Sequence, residues 1–227
     1  MGCDIHMTVE VLKKGKWTPV KQPKPATDSL EVQWYRPESW NWDFGRNYDS
    51  FAILANVRNG RGFAGIKTGS GFKPISEPRG LPEDRGLHGK NKDEAYGDHS
   101  QSWLLLSEVL ACDRAQTVQQ NGVVSDAQYA AWKKQKAGGP PSYSGGVSGP
   151  GIKMLPIAEM DLHVKKNKVQ PNDDAGFMSN AMNYCEISWS ETYAEAAQTL
   201  WEFVEHVQAS IPGVPPDEIR LVFGFDS

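Results

Sequence analysis

Residues 3–11 read CDIHMTVEV, in which apolar and polar side chains alternate without a break. This period of two is typical of a β-strand with one face in the core, and it puts four polar residues on the face that we expect to be solvated: Asp4, His6, Thr8 and Glu10. Asp4 and His6 lie one pleat repeat apart, about 7 Å between their Cα atoms. A carboxylate and an imidazole at that spacing can share a proton, a ligand or a metal ion, so this strand carries the first candidate site.

Composition limits the class of protein. The chain has 227 residues, of which 39% are hydrophobic, with 22 Gly and 15 Pro, so we expect one loop-rich domain over residues 1–227. Three scattered cysteines without a CxxC pair favour free thiols in a reducing cytosol. No stretch reads as a membrane span, and a net charge of −4 argues against binding of duplex nucleic acid. We therefore expect a cytoplasmic protein.

Regular elements are expected on both sides of the middle of the chain. Alternation and turn signals predict four further strands: 16–20, 102–106, 184–189 and 219–227. Apolar residues at helical spacing predict one helix over 48–58, capped by Asn47, and a longer helix over 193–209. Strands and helices mix without a βαβ rhythm, which predicts an α+β fold with a mostly antiparallel sheet, packed helices and long ordered loops.

The middle of the chain is expected to depart from this plan. Asn121-Gly122 predicts a turn, and Ser125 is a suitable N-cap for a helix. Residues 137–151 are so rich in Gly and Pro that they predict a mobile loop, and residues 162–169 predict a basic hairpin arm. The segment 125–170 is therefore interpreted as an insertion or a small subdomain.

Residues 46–90 are interrupted by many Gly and Pro residues and contain eight basic and four acidic residues. This local positive charge suits a small anionic ligand, although a solvated loop with mixed charges explains it too. Gly60–Gly65 matches GxGxxG but follows a predicted helix and begins none, which argues against a Rossmann turn. Its backbone N–H groups, flanked by Arg58, Arg61 and Lys67, could cradle phosphate, or the glycines could only form turns.

Two short motifs point to metal or proton chemistry. Asp4-Ile5-His6 matches the D-x-H opening of calcineurin-like metallophosphoesterases, in which both side chains bind a divalent metal such as Mg²⁺ or Mn²⁺, although the later motifs are missing here. In Gly97-Asp98-His99-Ser100, His99 could act as a general base with Ser100 as its hydrogen-bond partner, or it could be an ordinary surface histidine. Cys3 is predicted to be a core residue, because it points away from His6 on the strand.

Several segments together resemble a family of uncharacterised proteins found in phages and prophage regions. These segments are Met1–His6, Arg46–Asp49, Pro78–Pro82, His99-Ser100, Ser102–Leu104 and Phe225-Asp226. The resemblance spans most of the chain. It implies a phage-related role in the host cytosol and a set of polar positions, without supplying a reaction.

These polar positions come from strand ends and loops, and pairing of the first and last strands would bring Asp226 beside Asp4 and His6. We predict one pocket for a phosphate ester, with four residues in catalytic roles: Asp4, His6, His99 and Asp226. Five residues are predicted to bind the ligand: Trp42, Arg46, Asn47, Arg61 and Arg79. Asp4 and His6 are also the predicted metal ligands.

The leading hypothesis is a phage-type protein that binds a nucleotide or a similar phosphorylated small molecule, with phosphoesterase-type hydrolysis left open. One alternative is a non-catalytic sponge that sequesters a host nucleotide signal by stacking on four aromatic residues: Trp34, Tyr35, Trp40 and Trp42. Another is a structural or protein-binding accessory in which the polar cluster only joins loops. Neither duplex nucleic acid nor a membrane is expected as a partner.

Overall fold

The computed structural model describes residues 2–21, 40, 44, 47–62, 65–86, 96–135, 138–171 and 182–226. Its helices and strands are, in chain order, β1 Asp4–Lys13, β2 Lys16–Pro19, α1 Tyr48–Ala55, β3 His99–Leu105, α2 Leu106–Leu110, β4 Thr117–Ser125, α3 Asp126–Lys134, β5 Lys153–Met154, α4 Ile157–Asn167, β6 Asn183–Thr192, α5 Tyr193–Ala196, α6 Gln198–Ser210 and β7 Ile219–Asp226. These elements confirm the predicted α+β class. None of the described helices has the length and apolar character that crossing a membrane requires.

The chain divides into two compact units. Unit 1 comprises Met1–Asn59, Lys73–Asp113 and Ala197–Ser227, and unit 2 comprises Gly60–Phe72 and Arg114–Ala196. Unit 1 holds a four-stranded antiparallel sheet in the order β2-β1-β7-β3, and unit 2 holds a three-stranded mixed sheet in the order β4-β6-β5. The segment 125–170, predicted as an insertion or subdomain, lies inside unit 2, which also contains β4, β6 and the short piece before Lys73.

The first and last strands of unit 1 pair antiparallel, which is the condition under which Asp226 was expected beside Asp4 and His6. Asp4 lies opposite Asp226 in the register, and β2 returns from β1 through a two-residue turn. Residues that lie opposite one another share a face of the sheet, and successive residues alternate between faces. Asp4, His6 and Asp226 therefore lie on one face of the sheet, whereas Cys3 and Phe225 lie on the other.

The polar face of β1 is accessible to solvent only near its start, in contrast to the prediction from its alternation. Thr8 and Glu10 are 4% and 0% exposed. Arg220 of β7 donates to Glu10 Oε2 from Nε and Nη2 (3.0 and 2.7 Å), and its guanidinium carbon lies 4.2 Å from the ring centroid of Trp17. The backbone N–H of Gly86 donates to Glu10 Oε1 (2.6 Å). Glu10 is buried because an arginine from the last strand compensates its charge, and alternation cannot predict such a partner.

Helix α1 begins as predicted and ends early. Asn47 Oδ1 accepts a hydrogen bond from a backbone N–H of the first turn (2.8 Å), which confirms the predicted N-cap. The helix ends at Ala55 and not at the predicted Arg58, because Asn56 adopts the left-handed conformation (φ 59°) and serves as the C-cap. Arg58 therefore lies in a turn after the helix.

The predicted turn at Asn121-Gly122 is wrong, because both residues lie inside β4. They pair with Ser188 and Ile187 of β6. A Cβ atom at Gly122 would collide with the ring of Tyr143, so this strand position requires a residue without a side chain. Asn-Gly usually favours a turn, but here the glycine is needed inside a strand because the ring of Tyr143 lies against it.

Residues 157–167 form helix α4 in place of the basic hairpin arm predicted over 162–169. Met160 is fully buried in the unit 2 core, and Val164, one turn later, packs against the same cluster. Lys165 and Lys166 stay exposed. This short apolar stripe makes the helix amphipathic, and the surrounding lysines conceal it in the sequence.

The helix predicted over 193–209 is divided into α5 and α6 at Ala197, where φ is −117° and ψ is 37°. A capping box precedes α5, because Glu195 Oε2 accepts from the Thr192 N–H (2.8 Å) and Thr192 Oγ1 accepts from the Glu195 N–H (3.2 Å). The apolar stripe of α6 is buried and consists of Leu200, Trp201, Val204 and Val207.

Ser125→Ala is expected to lower the free energy of unfolding by about 1 kcal/mol, because it removes an N-cap. Ser125 Oγ accepts from the Gln128 N–H (3.3 Å), and Gln128 Oε1 accepts from the Ser125 N–H (2.8 Å). Urea unfolding followed by circular dichroism measures the change. Ser148→Ala, at an exposed serine outside the helices and strands, is the matched control; an equal loss in both variants would contradict the role of the cap.

Candidate functional site

An open cleft of about 460 Å³ lies in unit 1, beside the end of α1 and the start of β3. Its lining residues are Ala55, Asn56, Val57, Arg58, Glu77, Pro78, His99 and Ser100. The volume is in the range of small-molecule sites. The polar lining combines the guanidinium of Arg58, the imidazole of His99, the hydroxyl of Ser100 and the carboxylate of Glu77.

The backbone around the cleft adopts sparsely populated conformations. Asn56, Arg58 and Ser100 have φ values of 59°, 56° and 49°. Ser100 also lies where the register of β3 with β7 shifts. Asn56 Nδ2 donates to both carboxylate oxygens of Glu77 (2.9 and 3.2 Å), which ties the turn after α1 to a second loop. Positive φ in residues with a Cβ atom costs free energy and is concentrated at functional sites.

The imidazole of His99 is held by three contacts. Its Nδ1 lies 3.0 Å from Ser100 Oγ, and its Nε2 lies 3.8 Å from Cys3 Sγ. Its ring stacks on that of Phe225, with 6.0 Å between centroids and an interplanar angle of 21°. Both ring nitrogens therefore have defined neighbours, which orients the group for proton transfer.

Cys3 is absent from the residues predicted to act in catalysis or binding, and Arg58 was named only as a neighbour of the glycine segment that could cradle phosphate. The Arg58 guanidinium carbon lies 5.7 Å from the ring centroid of Tyr48, and Tyr48 Oη accepts from the backbone N–H of Cys3 (3.2 Å). Burial raises the pKa of the Cys3 thiol, and the neighbouring Arg58 opposes that effect. Cys3 is fully buried, as predicted, but its thiol contacts His99 from a distant strand. The turn-forming residues after α1 were the available signal for Arg58, whereas local sequence carried none for the Cys3 contact.

The structure does not bring the four predicted catalytic residues into one pocket. His99 lies opposite Phe225 in the register, so it shares the face of Cys3. His6 and Asp226 lie on the opposite face and outside the cleft lining, with His6 Nε2 2.7 Å from Asp226 Oδ2 and side chains that are 39% and 44% exposed. This pair is an imidazole oriented by a carboxylate, and its catalytic role stays a prediction.

Among the described residues, no third side chain joins Asp4 and His6 in a group that could hold a metal ion. Asp4 and His6 are half-buried on one face of β1. In the part of the chain that the structure describes, no group of three or more His, Cys, Asp or Glu side chains is arranged to hold a metal ion. A site for Mg²⁺ or Mn²⁺ at Asp4 and His6 therefore remains an expectation from the sequence motif.

Arg79 is paired with other residues of the protein, and its role as a phosphate clamp stays a prediction. Its Nη1 and Nη2 donate to the two carboxylate oxygens of Glu108 (2.9 and 2.6 Å), and its Nε donates to Ser76 Oγ (2.9 Å). The guanidinium carbon lies 5.0 Å from the ring centroid of Trp103. These hydrogen bonds from Arg79 lower the pKa of Glu108. Arg79 thus anchors a loop to Glu108 of α2 and to Trp103 of β3, and it is not among the cleft-lining residues.

Asn47 and Arg61, which were also predicted to bind the ligand, are not among the cleft-lining residues. Asn47 uses Oδ1 as the cap of α1. Arg61 belongs to unit 2, where it forms an isolated β-bridge with Lys67. Trp42 and Arg46, also predicted to bind the ligand, lie outside the described residues.

Two further expectations concern stacking and the GxGxxG segment. Trp40, assigned to stacking in the sponge alternative, is 3% exposed and packs edge-on against Phe203 in the core. Trp34 and Tyr35 lie outside the described residues. In the glycine segment, the Gly62 N–H donates to Ile66 O (2.8 Å), which supports the turn interpretation.

The cleft can therefore offer three kinds of interaction to a ligand. A guanidinium binds phosphate or carboxylate oxygens, and a carboxylate accepts hydrogen bonds from hydroxyl or amino groups. An oriented imidazole transfers protons near neutral pH.

Comparison of the chain with protein-family models, with curated proteins and with solved structures finds no match.

Proposed function

We propose that unit 1 binds a phosphorylated small molecule of the nucleotide class in this cleft and hydrolyses its phosphate ester. The observation that carries the proposal is the convergence of Arg58, His99 and Ser100 on one cleft of about 460 Å³. A binding group for an oxyanion and a proton-transfer group in one cleft are what phosphate-ester hydrolysis requires. The resemblance to phage and prophage proteins suggests that the substrate would be a nucleotide of the infected host.

The charges of the cleft suit a ligand with two kinds of polar group. Arg58 would donate to phosphate oxygens, and hydrogen bonds to charged groups contribute about 1.5–3 kcal/mol each. Glu77 would repel a phosphate but would accept hydrogen bonds from hydroxyl or amino groups. A nucleotide has both kinds of group, the phosphate and the hydroxyls of its sugar. Inorganic phosphate alone should therefore bind more weakly than a nucleoside monophosphate.

Arg58→Gln is expected to weaken nucleotide binding at least about tenfold, because the substitution removes the charge-assisted hydrogen bonds to phosphate. Isothermal titration calorimetry measures the affinity. Lys165→Gln, at an exposed cation on α4 that does not line the cleft, is the control for loss of a positive charge and should leave the affinity unchanged. Equal losses in the two variants would contradict the assignment of the phosphate contact to Arg58.

A panel of cyclic and linear nucleotides, incubated with and without Mg²⁺ or Mn²⁺, tests hydrolysis. Release of phosphate or opening of a cyclic phosphodiester supports the proposal. If a nucleotide raises the melting temperature of the protein but is recovered intact, the protein sequesters the nucleotide and does not hydrolyse it. A melting temperature that no nucleotide changes would contradict the proposal and favour a structural role.

A further inference from the structure

We infer that Ser100 is the nucleophile of the proposed reaction, with His99 as its general base and Cys3 as the residue that positions the base. The inference rests on the proposed function for its substrate class, a phosphate ester. It goes beyond that function because it predicts a covalent phosphoserine intermediate, whereas hydrolysis alone could proceed by direct attack of water.

The first observation is the contact between hydroxyl and base. Ser100 lines the cleft, and its Oγ lies 3.0 Å from His99 Nδ1. A hydroxyl within hydrogen-bond reach of a base, with that base oriented by a third group, is the arrangement that activates a nucleophile. Ser100 Oγ is therefore the cleft hydroxyl that His99 can deprotonate.

The second observation is the contact that can orient the base. Cys3 Sγ lies 3.8 Å from His99 Nε2 and donates towards Asp4 O (4.0 Å). The Arg58 guanidinium is a second donor beside the sulfur, which has two lone pairs and can accept from both Arg58 and the Nε2–H. In that tautomer Nδ1 carries the free electron pair, and it faces Ser100. The stacked ring of Phe225 limits rotation of the imidazole. Cys3 acts here through His99 and does not touch the substrate.

The third observation is the backbone conformation of Ser100. Its φ of 49° is a conformation in which glycine is favoured over residues with a side chain. Nucleophilic serines of other hydrolases lie on similarly strained turns, which expose the hydroxyl to the substrate. At this φ value the protein would be more stable with glycine than with a serine that had no function. A role for the Ser100 hydroxyl explains why a serine occupies the position.

The covalent step exchanges one bond to phosphorus for another. Ser100 Oγ attacks the phosphorus atom while its proton moves to His99 Nδ1, the Oγ–P bond forms, and the bond between phosphorus and the leaving oxygen breaks. The leaving oxygen then takes the proton from His99. A water molecule, deprotonated by His99, next attacks the phosphorus atom of the phosphoserine. The Oγ–P bond breaks, and Ser100 Oγ takes the proton from His99, which restores both groups. Water is the only co-reactant.

An alkyl fluorophosphonate tests the nucleophile in the full chain without any nucleotide. Attack by Ser100 would form a stable Oγ–P bond and expel fluoride, with the proton going to His99. We expect intact-mass analysis to show one added phosphonyl group and peptide mapping to place it on Ser100. His99→Gln should slow the labelling about 100-fold, in the range of general-base catalysis. Ser148→Ala, which changes a serine outside the site, should be labelled like the native chain.

Ser100→Gly separates loss of the nucleophile from loss of the fold. Because glycine is favoured at positive φ, its melting temperature should equal or exceed that of the native chain, while labelling disappears. A folded native chain that is not labelled at Ser100, or labelling that does not depend on His99, overturns the inference.

Cys3 is tested as a positioning residue by the pH dependence of labelling. Cys3→Ala should slow labelling and change its pH profile, because Nε2 loses its partner. Cys3→Ser should restore the profile, because the hydroxyl can also accept from the Nε2–H. Equal profiles in the native chain and in Cys3→Ala would remove Cys3 from the inference.

Failure of the inference is distinguishable from failure of the proposed function. A chain that is labelled at Ser100 in a His99-dependent way but turns over no nucleotide retains the nucleophile and loses the nucleotide substrate. Nucleotide turnover that persists in Ser100→Gly retains the proposed function and overturns the inference, since water would then attack directly.

Discussion

Replacing Arg220 with methionine is expected to lower the free energy of unfolding by about 3–5 kcal/mol, the range for removal of one partner of a buried ion pair. The side chains of Arg220 and Glu10 are 3% and 0% exposed, and they are joined by hydrogen bonds of 3.0 and 2.7 Å. Without Arg220, the Glu10 carboxylate remains in the interior with no compensating charge. Urea unfolding measures the loss.

Two further variants show whether the uncompensated charge is the cause. Asp84 also accepts from Arg220 (2.8 Å), but its side chain is 68% exposed, so Asp84→Asn should cost under about 1 kcal/mol. The double variant Glu10→Met/Arg220→Met should recover part of the lost stability, because an apolar pair can replace a buried ion pair. A double variant as unstable as Arg220→Met alone would show that lost packing, and not buried charge, determines the effect.

His99→Gln is expected to lower kcat about 100-fold or more for the nucleotide that the proposed activity consumes, in the range of general acid–base catalysis. Glutamine retains hydrogen-bonding groups, but it cannot take up and release a proton near neutral pH. Initial rates at saturating substrate measure kcat, and the substrate dependence of the rate shows whether binding survives.

His206→Gln is the control, because His206 is an exposed histidine on α6 whose ring meets the edge of Trp40 (5.7 Å) away from the cleft residues. Its kcat should equal that of the native chain. His6→Gln measures whether the second oriented imidazole takes part. If kcat falls only in His6→Gln, the catalytic imidazole is that of the His6–Asp226 pair. An unchanged kcat in His99→Gln would contradict the role of His99.

Much of the secondary structure follows from local sequence. The alternation at residues 3–11 and at residues 219–226 predicted two strands, and the fold pairs them so that Asp4 lies opposite Asp226. Asn47 and Ser125 were recognisable as N-caps because a cap acts within one helical turn. Such signals succeed because the responsible interactions join residues that are close in the chain.

Which side chain meets which partner depends on contacts between segments that are distant in the sequence. Cys3 and His99 are 96 positions apart, and the partner of Arg79 is Glu108, 29 positions further on. Whether an arginine faces a cleft or pairs with a carboxylate depends on which loops the packed sheet brings together. Local propensity has no information on that choice, because the free energy of those contacts exists only in the assembled fold. The periodicity of the chain thus determined strands and helix starts, and tertiary packing determined which polar side chains share the cleft.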